Sequence, residues 1–142
     1  MKLKNFILNL FTTLISISLG FVILEFFARS FGLGNPLLYR EDSLVGYRLK
    51  PNQSKLRRNN SKVTTDFEGF RVDHTKKYHK NDKLLVFVGD SVTYGGSYID
   101  DTDLFSSKIC DFINNNYFCL NNGLNSWGVL NMGRFIDNFS FY

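Results

Sequence analysis

A serine between two glycines is the residue of this chain best placed to do chemistry. Gly89 and Asp90 separate Ser91 from the apolar run 84–88, and Gly95 follows it. The run predicts a buried strand, of the kind that helices cover on both faces of a parallel sheet. Open α/β sheets bind ligands at the carboxyl ends of such strands, where a nucleophile would be expected. Nucleophilic attack by the Ser91 hydroxyl is therefore the first hypothesis, and capping of a helix N-terminus is its alternative.

The last part of the chain, residues 83–142, has the strand–helix–strand–helix order of an α/β domain. Residues 117–120 predict a second short strand, closed by a turn at Asn121, Asn122 and Gly123. Two strands joined by a helix imply a right-handed parallel crossover, so we expect an incomplete parallel sheet. The helix faces predicted to be buried consist of Phe105, Ile109, Phe112 and Ile113 in the first helix, and of Val129, Met132, Ile136 and Phe139 in the second.

The N-terminal segment predicts one transmembrane helix. No ionisable side chain occurs from residue 5 to residue 24, and a helix of that length is about 30 Å long, which matches the bilayer core. Lys2 and Lys4 place the N-terminus in the cytoplasm by the positive-inside rule. A cleaved signal peptide is the alternative, but its apolar core would be shorter and no clear cleavage site follows. We expect an uncleaved anchor over residues 1–29, with the remainder extracytoplasmic (periplasmic in a Gram-negative cell).

Residues 30–82 are expected to be a polar extracytoplasmic connector with short strands at 44–49 and 63–65. Basic residues gather here in a chain of net charge +4, but no aromatic platform or recognition helix accompanies them. We therefore expect no nucleic-acid partner and interpret them as a solvated face, with contact to anionic headgroups as the alternative. His74 and His79 have the wrong spacing for two ligands on one helix face, so no metal and no other cofactor is expected.

The two cysteines, Cys110 and Cys119, could form a disulfide in an exported protein. Cys110 lies about 120° from the predicted apolar face of its helix and should point away from the sheet. Because a disulfide requires Cα atoms within about 7 Å, this geometry is unfavourable and we expect two free thiols.

Two segments of the chain resemble sequence blocks of the SGNH (GDSL-type) hydrolases. Residues 89–95 resemble the family's first block, and residues 121–128 are similar to its second. Residues 45–52 and 69–71 resemble the leader of membrane-anchored bacterial members. The resemblance covers residues 44–133 and implies a flavodoxin-like, doubly wound sheet. It also implies a serine ester hydrolase or O-acyltransferase that acts on an extracytoplasmic glycan or lipid.

By this resemblance, Ser91 is the nucleophile that attacks an acyl ester and forms an acyl-enzyme. Its own backbone N–H and that of Gly123 or Ser126 would face the oxyanion. Counting from Asn121 places the family's oxyanion glycine on Ser126, whereas the nearest glycine is Gly123, which an ordinary turn would also explain. The residues expected to support the site are Gly89, Asp90, Gly95 and Asn122, with Asp90 fixing the turn by local hydrogen bonds.

Two further blocks of that family have no counterpart in this sequence. They are a Gly-x-Asn-Asp, whose asparagine completes the oxyanion hole, and an Asp-x-x-His, which activates the serine. His74 and His79 lie upstream of Ser91 and could approach it only through a topology that the family does not use. We therefore expect the N-terminal portion of a membrane-anchored esterase, in which another chain or domain completes the sheet. The alternative is a non-catalytic, truncated member that acts as a membrane-tethered binding or assembly module.

Overall fold

The computed structural model describes residues 2–31, 33–113 and 116–139, and the chain divides into two units between Gly34 and Asn35. The first unit contains α1 (Lys2–Ser30), whose segment Leu3–Ser30 is long and apolar enough to cross a membrane. The hydroxyls of Thr12, Thr13, Ser16 and Ser30 donate to carbonyls four residues earlier, so the helix satisfies these polar groups itself.

The second unit begins with two antiparallel hairpins. Their strands are β1 (Tyr39–Asp42) with β2 (Gly46–Leu49), and β3 (Ser54–Leu56) with β4 (Lys62–Thr64). The strand character predicted at 44–49 and 63–65 corresponds to β2 and β4, whereas β1 and β3 were not predicted. A 3₁₀ turn at Arg58–Asn60 joins β3 to β4.

A pair of parallel strands forms the centre of the unit and confirms the α/β prediction. Strands β5 (Lys83–Gly89) and β6 (Tyr117–Gly123) pair in register, with Gly89 opposite Gly123. The turn predicted at residues 121–123 is instead the end of β6. Asn121 is held in extended form there because its backbone N–H and C=O both bond to Arg71, at 2.9 Å each. The helices are α2 (Ser91–Tyr94), α3 (Phe105–Ile113) and α4 (Val129–Asn138), with a 3₁₀ turn at Asp101–Asp103 before α3.

Helix α3 matches its predicted face only at Phe105, whose ring packs edge-on against that of Phe87 on β5 with centroids 5.4 Å apart. Its buried residues are Ser106, Ser107 and Cys110, whereas Phe112 is 92% exposed. Phe105 and Ile109 are exposed as well. The Asn121 side chain on β6 donates to the Ser106 hydroxyl at 3.0 Å, and the Ser107 hydroxyl donates to the carbonyl of residue 101 at 2.6 Å. These polar contacts fix the rotation of α3 against the preference of its apolar spacing.

The same rotation joins the two cysteines. Cys110 of α3 and Cys119 of β6 form a disulfide, with their Cα atoms 6.1 Å apart. The prediction of two free thiols was therefore wrong, because it depended on the predicted apolar face of α3.

Helix α4 matches its predicted face in part. Met132 and Phe139 pack against the core as predicted, but Phe135 is the residue buried at the centre of the contact. Val129 and Ile136 are exposed. The buried face of α4 is thus rotated towards Phe135, whose ring stacks on that of Phe139 with centroids 4.6 Å apart.

Side chains from the expected connector fill much of the hydrophobic core. Val45, Leu49, Phe70 and Val72 come from that segment, and they pack with Tyr94, Leu120, Leu124, Trp127 and Phe135. The Trp127 indole N–H also donates to the Tyr47 carbonyl at 3.2 Å. Residues from Asn35 onward thus form one compact unit, which differs from the expected connector followed by a separate domain.

Candidate active site

Ser91 lies at the carboxyl end of β5 and is the first residue of α2. Its side chain is exposed, and its hydroxyl makes no hydrogen bond within the described residues. The Ser91 backbone N–H also has no partner in that part of the chain. A free hydroxyl and a free N–H at a helix start are what a nucleophile with its own oxyanion donor requires.

Asp90, not Ser91, caps α2. The Asp90 side chain accepts a hydrogen bond from the Val92 N–H at 2.9 Å, which confirms its predicted role in the turn. The alternative role of Ser91 as the helix cap is therefore wrong. Gly89 permits this tight turn, since a Cβ there would lie 1.9 Å from the Thr93 hydroxyl oxygen. Gly95 ends the helix with a positive φ of 79°, and its N–H bonds to the Ser91 carbonyl at 3.1 Å.

Ser91 opens onto a cleft of about 760 Å³. The cleft is lined by Ser91, Val92 and residues 94–99, together with Leu37, Tyr39, Arg57 and Asn125. It is large enough for a small organic ligand. The connector segment therefore contributes to the same cleft as the predicted nucleophile.

Gly123 has a packing role that the sequence did not reveal. A Cβ on Gly123 would lie 2.0 Å from the Tyr94 backbone nitrogen, so only glycine lets α2 approach β6 this closely. Its backbone N–H donates to the Asn121 side-chain oxygen at 2.8 Å and is buried. This N–H is therefore already engaged and is not free to bind an oxyanion, which leaves Ser126 as the remaining candidate of the two.

Ser126 has the backbone conformation of a glycine. Its φ is +63°, a left-handed value that glycine adopts most readily, at the position where the resembling family has glycine. Ser126 is exposed but does not line the cleft, whereas its neighbour Asn125 does. Asn122 is buried away from the cleft, and its side-chain nitrogen has no hydrogen-bond partner among the described residues. Asn125 was not singled out from the sequence, because an exposed turn asparagine carries no signal of its own.

Arg71 holds the cleft wall in place. Its guanidinium is fully buried and donates to the carbonyls of Tyr94 (2.9 Å), Gly96 (2.7 Å) and Ile99 (2.5 Å). It also pairs with the carboxylate of Asp101 at 2.8 Å. The sequence showed Arg71 only as part of a resembling leader segment, and the contacts that define its role lie more than twenty residues away along the chain.

None of the described residues that line the cleft is suited to remove the Ser91 proton. Burial raises the pKa of Tyr94 to about 12, so this phenol stays protonated near neutral pH. His74 and His79 are both described and neither lines the cleft; the His74 Nδ1 instead lies 3.6 Å from the Asp101 carboxylate. Within the described residues, no group of three or more His, Cys, Asp or Glu could hold a metal ion.

No family model matches this chain, and no curated protein matches it. The interpretation of the site therefore depends on its residues, on their geometry, and on the resemblance of residues 89–95 and 121–128.

Proposed function

We propose that this chain carries the nucleophile of a membrane-anchored serine ester hydrolase or O-acyltransferase of the SGNH type. The observation that supports it most is the position of Ser91, which is exposed, unbonded and located on a cleft at the carboxyl end of a parallel strand. Asp90 caps the helix, so Ser91 has no structural task that would explain its place. The proposed substrate is an acyl ester of an extracytoplasmic glycan or lipid, which follows from the resemblance.

The reaction would proceed through an acyl-enzyme. The Ser91 oxygen bonds to the acyl carbon, a general base takes the hydroxyl proton, and the alcohol leaves with a proton returned by that base. Water then releases the acid, or a second hydroxyl group accepts the acyl group. The Ser91 N–H would donate to the oxyanion. The resemblance implies the Ser126 N–H as the second donor, and to reach the oxyanion Ser126 would have to move towards the cleft that its neighbour Asn125 lines. The base would come from another segment or from a partner chain, because the described residues place none in the cleft.

Two observations support an extracytoplasmic location for residues 35–139. Lys2 and Lys4 precede α1, which favours a cytoplasmic N-terminus. The disulfide between Cys110 and Cys119 is a bond that persists in oxidising compartments outside the cytoplasm.

An additional chain or domain would complete the sheet. Within the described residues, β5 pairs with β6 alone, so one edge of β5 keeps unpaired backbone groups. Such an edge is a site for strand addition. The same addition could bring the missing base to the cleft.

A non-catalytic function is the second candidate. The lack of a base in the cleft favours it, since an unassisted serine hydroxyl is a poor nucleophile at neutral pH. In that case the chain would be a membrane-tethered binding or assembly module that uses the same cleft.

A fluorophosphonate probe separates the two candidates, because it reacts with activated serines. In native membranes, which retain any partner that supplies the base, the full chain should be labelled, the Ser91→Ala variant should not, and Ser54→Ala should be labelled like the wild type. Ser54 is a matched control, being an exposed serine of β3 outside the cleft. An unlabelled wild-type chain would favour the non-catalytic module.

A further inference from the structure

Arg57 provides the charge of the cleft. Among the twelve described residues that line it, Arg57 is the one with an ionised side chain near neutral pH. The side chain is half-buried, and one of its terminal nitrogens donates to the Asn35 carbonyl at 2.5 Å. That bond orients the guanidinium but leaves its positive charge without a counter-charge.

The charge of Arg57 is not compensated by the protein. Within the described residues, no carboxylate forms an ion pair with it, although the buried Arg71 is paired with Asp101. The Arg57 Nε is buried and has no hydrogen-bond partner there. A half-buried guanidinium without an anion is unfavourable, so an anion that entered the cleft would gain the charge and a hydrogen bond from the second terminal nitrogen, for which the described residues provide no partner.

The positive charge of Arg57 also acts on Tyr94, which lines the cleft. Burial raises the pKa of the Tyr94 hydroxyl, and the positive charge of Arg57 is one of the influences that oppose this rise. The Tyr94 hydroxyl is buried and also has no hydrogen-bond partner in the described part of the chain. The cleft thus combines a positive potential with walls that carry no acidic side chain.

We propose that the Ser91 cleft selects esters that also carry an anionic oxygen group, a carboxylate or a phosphate, and that Arg57 binds this group. The ester part of the inference rests on the proposed function, whereas anion binding is independent of catalysis. Guanidinium groups form strong, charge-assisted hydrogen bonds with both kinds of anion. Arg57 would therefore set which end of a substrate enters the cleft.

The test measures binding to the full chain in neutral detergent by ligand-observed NMR. The probes are monomethyl succinate, the uncharged dimethyl succinate, and inorganic phosphate. We expect the wild type to bind at least one anion about tenfold more tightly than dimethyl succinate, and the preference to weaken with added salt. Binding of monomethyl succinate alone assigns a carboxylate substrate, and binding of phosphate alone assigns a phosphorylated one.

Variants identify the residue responsible. Arg57→Gln should lose the preference for the anion, and Arg57→Lys should keep part of it. Lys55→Gln is the matched control, because it removes one positive charge from the same segment. Lys55 also bonds to Asn35, but Lys55 does not line the cleft. The Lys55→Gln preference should equal that of the wild type. Trp127 fluorescence checks that each variant is folded.

Two results overturn the inference: no preference for either anion in the wild type, or a preference that survives in Arg57→Gln. Its failure is distinguishable from failure of the proposed function. Fluorophosphonate labelling of Ser91 without an anion preference removes only the role of Arg57. Anion binding without labelling removes only the esterase proposal.

Discussion

The guanidinium of Arg71 and the carboxylate of Asp101 form an ion pair at 2.8 Å in which neither side chain is exposed to solvent. Asp101 also accepts a hydrogen bond from the Thr64 N–H at 2.7 Å, which links the pair to β4. Through this pair the segment before β5 is tied to the loop that follows Ser91. The cleft therefore depends on a contact between two parts of the chain that the sequence suggested were separate.

Loss of Arg71 should destabilise the unit strongly. Arg71→Ala would leave the Asp101 carboxylate buried and unpaired, which typically lowers the free energy of unfolding by about 3–5 kcal/mol. Urea unfolding of the full chain in detergent, followed by the fluorescence of Trp127, the single tryptophan, measures this change. Lys108→Ala is the control, because it breaks an ion pair with Asp103 whose side chains are 59% and 64% exposed. Equal stability of the two variants would contradict the structural role of Arg71.

Two glycines should respond oppositely to alanine. In Gly123→Ala the new Cβ would meet the backbone of α2, so we expect a loss of about 1–3 kcal/mol in the free energy of unfolding. Gly133 lies inside α4 with no atom within 4 Å of a Cβ, and Gly133→Ala should gain about 0.5–1 kcal/mol from helix propensity. Urea midpoints of the two variants give the comparison. A Gly123→Ala variant as stable as the wild type would argue against the close contact of α2 with β6.

Reduction of the disulfide should weaken the unit without removing its fold. Cys110 and Cys119 are nine residues apart, and closing a loop of that length contributes about 2–3 kcal/mol by restricting the unfolded chain. The Cys110→Ser, Cys119→Ser double variant should lose about this much. Alkylation of the unreduced, denatured chain followed by mass spectrometry should detect no free thiol. Two alkylated cysteines would restore the original expectation of free thiols.

Acid should remove the contribution of Asp100 to the free energy of unfolding. Burial by itself would raise the pKa of Asp100, but hydrogen bonds from Thr102 and from the Lys62 N–H outweigh it and hold the pKa below the usual 3.8. A lowered pKa in the folded state gives stability that is complete above about pH 5 and is lost as the pH falls through the folded-state pKa. The stabilities of the wild type and of Asp100→Asn should therefore converge as the pH falls below about 5. Parallel pH profiles would show that these hydrogen bonds do not favour the carboxylate.

The sequence predicts the elements whose signals are local. The apolar run of β5 and the glycines on either side of the Ser91 turn act within a few residues, and both the strand and the turn were predicted correctly. The predicted burial of the strand was wrong: Leu84 is 37% exposed and residues 85–88 are only partly buried, because β6 is the one strand that pairs with β5 within the described residues. The contribution of residues 35–82 to the unit could not be predicted, because it depends on contacts such as that of Arg71 with Ile99, 28 residues apart.

Parts of the candidate site could also be predicted from the sequence, whereas others depend on contacts between distant residues. The turn at Asp90 and Ser91 is encoded by adjacent residues, and its geometry followed from them. The rotation of α3 could not be predicted from neighbouring residues. It depends on the hydrogen bond from the Asn121 side chain of β6 to the Ser106 hydroxyl, which outweighs the preference of the apolar spacing. The charge of Arg57 in the cleft was equally hidden, since a basic residue in a polar segment usually faces solvent.

The most direct test of the central claim is the site of a fluorophosphonate adduct, mapped by peptide mass spectrometry on the full chain in native membranes, which retain any partner that supplies the base. We predict one adduct on the peptide that contains Ser91, at close to one per chain, and none after heat denaturation. An adduct spread over several exposed serines, or no adduct on Ser91 in membrane-bound chains whose Cys110–Cys119 disulfide is intact, would contradict the assignment of Ser91 as a nucleophile.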